Sequence, residues 1–508
     1  MERNRKIKNL EKLAKLLSSF RAKGKKVVLC HGVFDLLHIG HIRHFEQATK
    51  LGDILVVTVT PDRYVNKGPH RPAFTGNLRA ESIAALDCVD YVAINSWPTC
   101  VETIKLLKPD IYAKGSDYRD ARKDYSGKIT DEEAAIKSVG GDIAFTEDIT
   151  FSSSNLINKY LPVFPKEVTD YLEDFSKKYP AEDILQYLEN ARSLKVLVIG
   201  ETIIDEYQYC ESIGMAAKEP VLATRYLSTE KFAGGILAVA NHVANFCDQV
   251  GLLTFLGTED AQEDFIGQHV GSNVEKIFLY KEKSPTIVKR RFIESYPLTK
   301  LFEVYVINDE ELGQAENKAF CQRLSAILPQ YDVVIVADYG HGMMTKDAVE
   351  ILSNKARFLA VNTQANAGNR GFNTIYKYPR ADFVSVAEHE IRLEFRNRKD
   401  DLKDMVVTLS QKMGSSGVIV TRGSRGCLSY NKDEGFFEIP AFTQHVVDRI
   451  GAGDALLSLT ALCAARQAPM EVVGFIGNVV GAESVQIIGN KTPIERVSLF
   501  KHIVSLLK

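Results

Sequence analysis

Apolar residues in the first third of the chain fall into short blocks separated by stretches of helical spacing. Val27-Val28-Leu29-Cys30, Ile54-Leu55-Val56-Val57-Thr58-Val59, Tyr91-Val92-Ala93-Ile94 and Ile111-Tyr112-Ala113 read as strands. Residues 42–51 and 74–86 read as helices between them. Leu10, Leu13, Leu16 and Leu17 recur at helical spacing, which predicts an amphipathic N-terminal helix and not a signal peptide. Strands alternating with helices predict a parallel sheet that binds ligands at the carboxyl ends of its strands. From Pro162 to Ser193 the pattern changes: charged residues surround Leu172, Phe175, Ile184, Leu185 and Leu188, the spacing of a helical connector. A second alternation opens with the strand at 195–200 and continues at 251–256, 333–337, 358–361, 383–386 and 418–421. The predicted organisation is a domain over 1–161, a connector over 162–193 and a larger domain over 194–508.

Composition narrows the function classes. Of 508 residues, 45% are hydrophobic and 25% charged, the balance of an ordinary soluble globular protein. A net charge of -2 gives no global attraction to nucleic acid or an anionic membrane. The eight cysteines are scattered without a C-x-x-C pair, which reads as core residues in a reducing compartment. No apolar run approaches the roughly 18 residues of a membrane span. A cytoplasmic location is therefore expected, with no nucleic-acid or membrane partner.

The first domain carries H-G-V-F-D-L-L-H-I-G-H from His31 to His41, directly after its first strand. His38 and His41 lie three apart and so share one side of a helix start. Unpaired N–H groups and the helix dipole favour a phosphate chain there, and the imidazoles can donate to triphosphate oxygens as charge leaves with pyrophosphate. Gly32 supplies the tight turn before Val33-Phe34, and Gly40 lets a ligand approach the backbone. Lys67-Gly68-Pro69-His70-Arg71-Pro72 is a basic loop able to reach the β- and γ-phosphates, and Arg79 opens the next helix. Ser152, Ser153 and Ser154 precede Asn155-Leu156-Ile157, a candidate helix N-terminus for a nucleotide phosphate.

Residues 26–161 resemble the cytidylyltransferase-like nucleotidyltransferases, especially the adenylyltransferase half of bifunctional heptose-7-phosphate kinase/heptose-1-phosphate adenylyltransferases. The similar elements are G-V-F-D-L-L-H-I-G-H, K-L-G-D from Lys50, K-G-x-x-R-P from Lys67, K-P-D-I-Y-A-K-G-S-D-Y from Lys108 and S-S-S-N-L-I-N from Ser152. The resemblance implies a triphosphate on His38 and His41 with help from Lys67. It also implies a nucleotide held by Gly32, Phe34, Gly40, Arg79, Ser152, Ser153 and Ser154. Class I aminoacyl-tRNA synthetases share the histidine signature, but the chain has no K-M-S-K-S and no basic surplus, so they are rejected.

In the second domain, Asp448-Arg449-Ile450-Gly451-Ala452-Gly453-Asp454 precedes an apolar helix. Gly451, Ala452 and Gly453 allow the backbone to fold round an anion at the helix N-terminus. Asp454 at its mouth can take the proton of an acceptor hydroxyl. Phosphoryl transfer asks a protein mainly for positioning and charge neutralisation, so this small set suffices. The segment resembles the signature of the ribokinase-like (PfkB) carbohydrate kinases, over residues 194–508. By that resemblance Asp205, Gly234 and Gly235 meet the sugar, Thr421, Gly423 and Gly426 meet ATP, and Glu390 belongs to the Mg²⁺ network. Lys289 and Arg291 fall where a sugar-phosphate acceptor would want cations. The chain departs from the pattern at Ala238, where the family has asparagine, and at Ala387, where N-x-x-E has lost its asparagine. Val361-Asn362-Thr363 stands where the heptose kinases have Asp-Pro-Lys, and the domain order is the reverse of theirs.

The expected fold is α/β throughout, a Rossmann-like nucleotidyltransferase domain followed by a ribokinase-like domain. The expected function is a bifunctional kinase and nucleotidyltransferase that makes a nucleotide-activated sugar of the ADP-heptose type for surface glycan. ATP (or another NTP in the first domain), Mg²⁺ and a sugar phosphate are the expected ligands, and a homodimer the expected assembly. Two alternatives stay open at this point. One is a cytidylyltransferase for another sugar or polyol phosphate; the other is a kinase-like domain that senses a ligand without turnover. Which base is transferred is open as well.

Overall fold

A computed structural model describes residues 3–65, 68, 71–115, 128–146, 164–296, 298–443 and 445–508. The chain divides into two compact units, one of residues 1–165 with 497–508 and the other of residues 166–496.

The first unit is built on a five-stranded sheet of order β3-β2-β1-β4-β5. Its strands are β1 (Val27–Gly32), β2 (Ile54–Val59), β3 (Tyr91–Ile94), β4 (Ile111–Gly115) and β5 (Asp142–Thr146), all paired in parallel. Period-two alternation sends Val28 and Cys30 into one hydrophobic layer with Phe45, Ile83 and Ala84. Val27 and Leu29 enter the opposite layer with Leu13, Leu17 and Ile104. Both faces are thereby covered, as a parallel sheet requires. The N-terminal helix, Leu10–Arg21, supplies Leu10, Leu13 and Leu17 as expected from their spacing. Because β1 pairs with β2 on one side and β4 on the other, the strand order reverses at β1, the place where open α/β sheets hold ligands.

The second unit contains a nine-stranded sheet, β10-β9-β6-β13-β14-β15-β16-β17-β18. Here β6 is Lys195–Gly200, β9 Gln249–Gly257, β10 Val274–Lys281, β13 Val333–Asp338 and β14 Leu359–Thr363. Next come β15 (Phe383–Ala387), β16 (Gly417–Thr421), β17 (Cys427–Asn431) and β18 (Gly435–Ile439). Pairing is parallel from β10 to β16 and antiparallel beyond it. A second sheet of four strands, β12-β11-β7-β8, is made of the long β7 (Thr202–Met215) and β8 (Leu222–Gly235) with β11 (Ile287–Glu294) and β12 (Thr299–Val306). It is tied to the loop before helix Ala452–Ala465 through Asp448, which accepts from Tyr207 Oη and Lys300 Nζ at 2.5 Å each. Helices Lys166–Lys178 and Ala181–Ala191, in the segment read as a connector, are part of this unit. Phe175 stacks on Phe475 with ring centroids 4.4 Å apart. No helix among the described residues is long and apolar enough to cross a membrane.

Arg79 holds the first unit's turns together. It is 2% exposed, and its guanidinium donates to Phe74 O and Thr60 O at 2.9 Å each, to Val33 O and to Asp62 Oδ1. Arg79→Ala would strand three backbone carbonyls and leave a cavity, at a cost of at least about 3 kcal/mol. Trp97 is the chain's single tryptophan and lies in the first unit, so urea unfolding followed by its fluorescence reads that unit alone. A loss below about 1 kcal/mol would contradict this role for the arginine.

Candidate active sites

In the first unit the chain leaves β1 at Gly32 and turns back on itself before helix Ile39–Thr49. Phe34 adopts a left-handed φ of 50° and folds its ring over Gly32, where an added Cβ would lie 2.8 Å from Phe34 Cζ. Glycine at 32 is thus a steric requirement of the turn. Phe34 also meets His41 edge-on, with ring centroids 5.2 Å apart. His38 caps the helix and stacks on His41, centroids 3.8 Å apart and planes 22° from parallel. Burial holds the His38 imidazole below its ordinary pKa, which favours the neutral ring at pH 7. A neutral ring still offers one N–H donor. The stacked pair stands at the mouth of the strand switch, beside the N–H groups of the helix start, the arrangement an anionic phosphate chain calls for.

Asp35, which the sequence reading passed over, pins this turn to the basic stretch. It is 2% exposed and accepts from Ala73 N at 2.7 Å, Phe74 N at 3.2 Å and Arg71 Nη1 at 3.2 Å. Arg71 is therefore held beside the histidine turn. Arg79, expected to meet nucleotide, is instead spent on the carbonyls named above. Lys67, Ser152, Ser153 and Ser154 lie outside the described residues. A further polar group gathers where β4 and β5 end. Lys114 pairs with Glu132 at 2.9 Å, and His44 Nδ1 is 2.7 Å from Thr146 Oγ1. Burial, and then Lys114, lower the His44 pKa to about 4, so this imidazole is uncharged.

In the second unit the carboxyl ends of β13 and β14 and the start of helix Ala452–Ala465 converge on Asp454. Gly451 caps that helix at φ 82°, and an added Cβ would lie 2.0 Å from Asn490 Oδ1. Asp454, 7% exposed, accepts on Oδ1 from Tyr339 Oη at 2.9 Å and from Gln364 Nε2 at 2.8 Å. Both donors use the same oxygen, Oδ1. Burial pushes the Asp454 pKa up to about 7; Asp205 adds to the rise, while Tyr339, Gln364 and Lys289 oppose it. A carboxylate with that pKa is matched to proton abstraction at neutral pH. Tyr339 is held in turn by Glu201, which accepts from Tyr339 N at 3.1 Å and His341 N at 2.9 Å.

The other sequence candidates divide into two groups. Asp205 lies close to the anion turn: Asn490 Nδ2 reaches its Oδ2 at 3.3 Å, and an added Cβ at Gly234 would come within 2.0 Å of the same oxygen. Arg291 donates to Asp205 and, at 2.9 Å, to Glu303, so its charge is already matched. Lys289 differs. It is 8% exposed, its ammonium lies over the rings of Tyr305 (5.2 Å) and Tyr339 (6.0 Å), and Nζ makes no ion pair or hydrogen bond among the described residues. Burial lowers its pKa, against the pull of Asp205. A buried ammonium in this state is stabilised by any anionic group that reaches it. Gly235 takes φ 55° at the end of β8, ahead of helix Ile236–Ala244. Thr421 ends β16, and Gly423 (φ 60°) and Gly426 (φ 76°) form the turn after it. Glu390 Oε2 accepts from Ala387 N at 2.7 Å and Oε1 from Ala365 N at 3.0 Å, and burial raises its pKa to about 7. No group of three His, Cys, Asp or Glu side chains converges as a metal cage among the described residues. Neither Tyr339 nor Gln364 was predicted; their neighbourhood to Asp454 exists only where strand ends meet.

Residues 193–496 match the pfkB family of carbohydrate kinases, and residues 29–159 match the cytidylyltransferase-like family. The chain is 38% identical over 168 residues to the bifunctional protein HldE of Geobacter metallireducens, a match covering 32% of each chain. It is 47% identical over 115 residues to the HldE of Citrifermentans bemidjiense, covering 22% of this chain and 24% of that one. These matches span about a third or less of the curated relatives' length. The solved structure of the tetrameric inhibited form of phosphofructokinase-2 from Escherichia coli superposes with a TM-score of 0.50 at 13% identity. That match covers 62% of this chain and all of that one, and shows a shared fold.

The Asp454 geometry sets a pH dependence. If Asp454 takes the acceptor's proton, kcat of the second unit falls on the acid side with a midpoint near pH 7. Tyr339→Phe removes a donor that favours the carboxylate, so the acid limb moves to higher pH. Profiles of kcat against pH for both proteins check this; an acid limb that stays in place or moves down contradicts it.

Proposed function

The chain belongs to the pfkB family of carbohydrate kinases, and from that premise we propose a bifunctional enzyme that makes a nucleotide-activated sugar. The second unit transfers the γ-phosphoryl group of ATP to the anomeric hydroxyl of a sugar phosphate, for which heptose 7-phosphate is the favoured acceptor. The first unit joins a nucleotide to the resulting sugar 1-phosphate, with release of pyrophosphate. A separate phosphatase removes the other phosphate between the two steps. The product serves surface glycan synthesis in the cytoplasm, a setting supported by eight free thiols.

The observation that carries the kinase reading is the buried Asp454 at a helix N-terminus, with the cation of Lys289 close enough to lower its pKa. Asp454 Oδ2 removes the hydroxyl proton as the oxygen attacks the γ-phosphorus, and the helix N-terminus with Gly451, Ala452 and Gly453 receives the developing charge. Lys289 binds the acceptor's own phosphate, which selects a sugar phosphate over a free sugar. The Thr421–Gly426 turn holds ATP. Mg²⁺ enters with the nucleotide, as this ion usually does, and Glu390 is the carboxylate that would face it. When bound it neutralises charge on the β- and γ-phosphates. In the first unit, His38 and His41 donate to the triphosphate while the sugar 1-phosphate oxygen attacks the α-phosphorus and pyrophosphate departs. The homodimer in this reading is supported by the exposed apolar side chains Ile213, Met215, Tyr226 and Phe302 of the four-stranded sheet.

Each NTP is incubated with a panel of sugar phosphates, and ADP and pyrophosphate are read separately. Asp454→Asn lowers ADP formation roughly 10²-fold or more and leaves pyrophosphate release from a supplied sugar 1-phosphate intact. His41→Ala has the opposite pattern. Equal ADP formation in wild type and Asp454→Asn, or normal pyrophosphate release by His41→Ala, contradicts the respective site. No ADP formation with any acceptor favours a ligand-sensing second unit.

A further inference from the structure

The last helix, Arg496–Leu506, follows the second unit in sequence, yet residues 497–508 are part of the first unit. The handover occurs at Arg496, which still pairs with Glu189 of the second unit. Immediately beyond it Leu499, Phe500, His502 and Ile503 are at most 1% exposed. The second unit is therefore an insertion between the body of the first unit and that unit's final helix.

His502 marks what the helix does there. Gly68 has φ +91°, and an added Cβ at that position would lie 2.3 Å from His502 Cδ2 and 2.4 Å from Nε2. The imidazole thus rests directly on the Gly68 backbone, and any side chain at 68 would displace it. Gly68 lies in the K-G-x-x-R-P stretch, three residues before Arg71. Arg71 pairs with Asp35 at 3.2 Å, and Asp35 is three residues before His38. Gly68 is thus three residues from an arginine that Asp35 ties to the turn presenting the stacked histidines.

We propose that the C-terminal helix is a working part of the nucleotidyltransferase site, with His502 as a positioning residue that seats Gly68, three residues before Arg71. The inference rests on the reading that the K-G-x-x-R-P stretch meets the nucleotide. It implies that the first unit's activity needs residues more than 330 positions away in sequence, on the far side of the second unit.

The test uses the full chain, with ADP formation as an internal control and Trp97 fluorescence as a monitor of the first unit's folding. His502→Ala raises KM for the NTP in pyrophosphate release roughly tenfold or more, the scale of a small misplacement. Its ADP formation stays at the wild-type value, and KM is read under conditions where Trp97 fluorescence shows the first unit folded. His502→Phe, which keeps a flat ring over Gly68, restores KM towards wild type. Unchanged KM in His502→Ala, or a Phe variant no better than Ala, overturns the inference. A wild-type chain that releases no pyrophosphate with any NTP and acceptor overturns the parent reading, and this one with it.

Discussion

A carboxylate withdrawn from water at a helix N-terminus is the constraint round which the second unit is arranged. Burial alone would protonate Asp454, and an acid cannot act as a base. Two donors on Oδ1 and one cation nearby oppose that tendency and leave the group poised near neutrality. Each comes from a different strand or the loop after one. Tyr339 follows β13, Gln364 follows β14, and Lys289 comes from β11 in the smaller sheet. The small sheet must then stay in register with the anion turn, and Asp448 provides that link by accepting from Tyr207, Lys300, Ile450 N and Gly489 N. Displacing any of these strands changes the electrostatics of one oxygen atom.

Contiguous features of the sequence carried well into the structure. The short apolar blocks from Val27 to Ala113 became a parallel sheet, and both glycine-rich turns lie at helix starts, since local conformation and phosphate chemistry impose the same residues on the same few positions. The strands β7, β8, β11 and β12 were hidden because charged residues interrupt their apolar runs, as in Asp205-Glu206 and Lys289-Arg290-Arg291. Arginines were the least legible side chains. Nothing local distinguishes Arg79, whose long stem carries it into the core, from an arginine aimed at a ligand. Arg291 looked like an acceptor cation, but its partners Asp205 and Glu303 come from neighbouring strands. Asp35, Tyr339 and Gln364 were invisible for the same reason: their partners are close in space and distant in the chain.

In the proposed reading, the two units differ in the side chains that meet phosphate. The first presents two stacked imidazoles, of which burial holds His38 below its ordinary pKa, and a neutral ring still donates one N–H. The second keeps a buried ammonium between two tyrosine rings, a costly arrangement that is relieved when an anion arrives. In the proposed sequence of reactions this difference matters. The kinase must recognise a phosphate that it does not transfer, whereas the nucleotidyltransferase must grip a triphosphate and then release pyrophosphate.

The central claim, that one chain primes the anomeric carbon and later activates it, is tested most directly by ³¹P NMR. A single incubation of the wild-type chain with ATP, Mg²⁺ and heptose 7-phosphate is followed in time, and a sugar-bisphosphate phosphatase is added midway. The account predicts that an anomeric phosphate signal grows with ADP before the addition. Pyrophosphate and a sugar diphosphate linkage follow only after it. Pyrophosphate released without prior anomeric phosphorylation, or no anomeric signal at any stage, would contradict it.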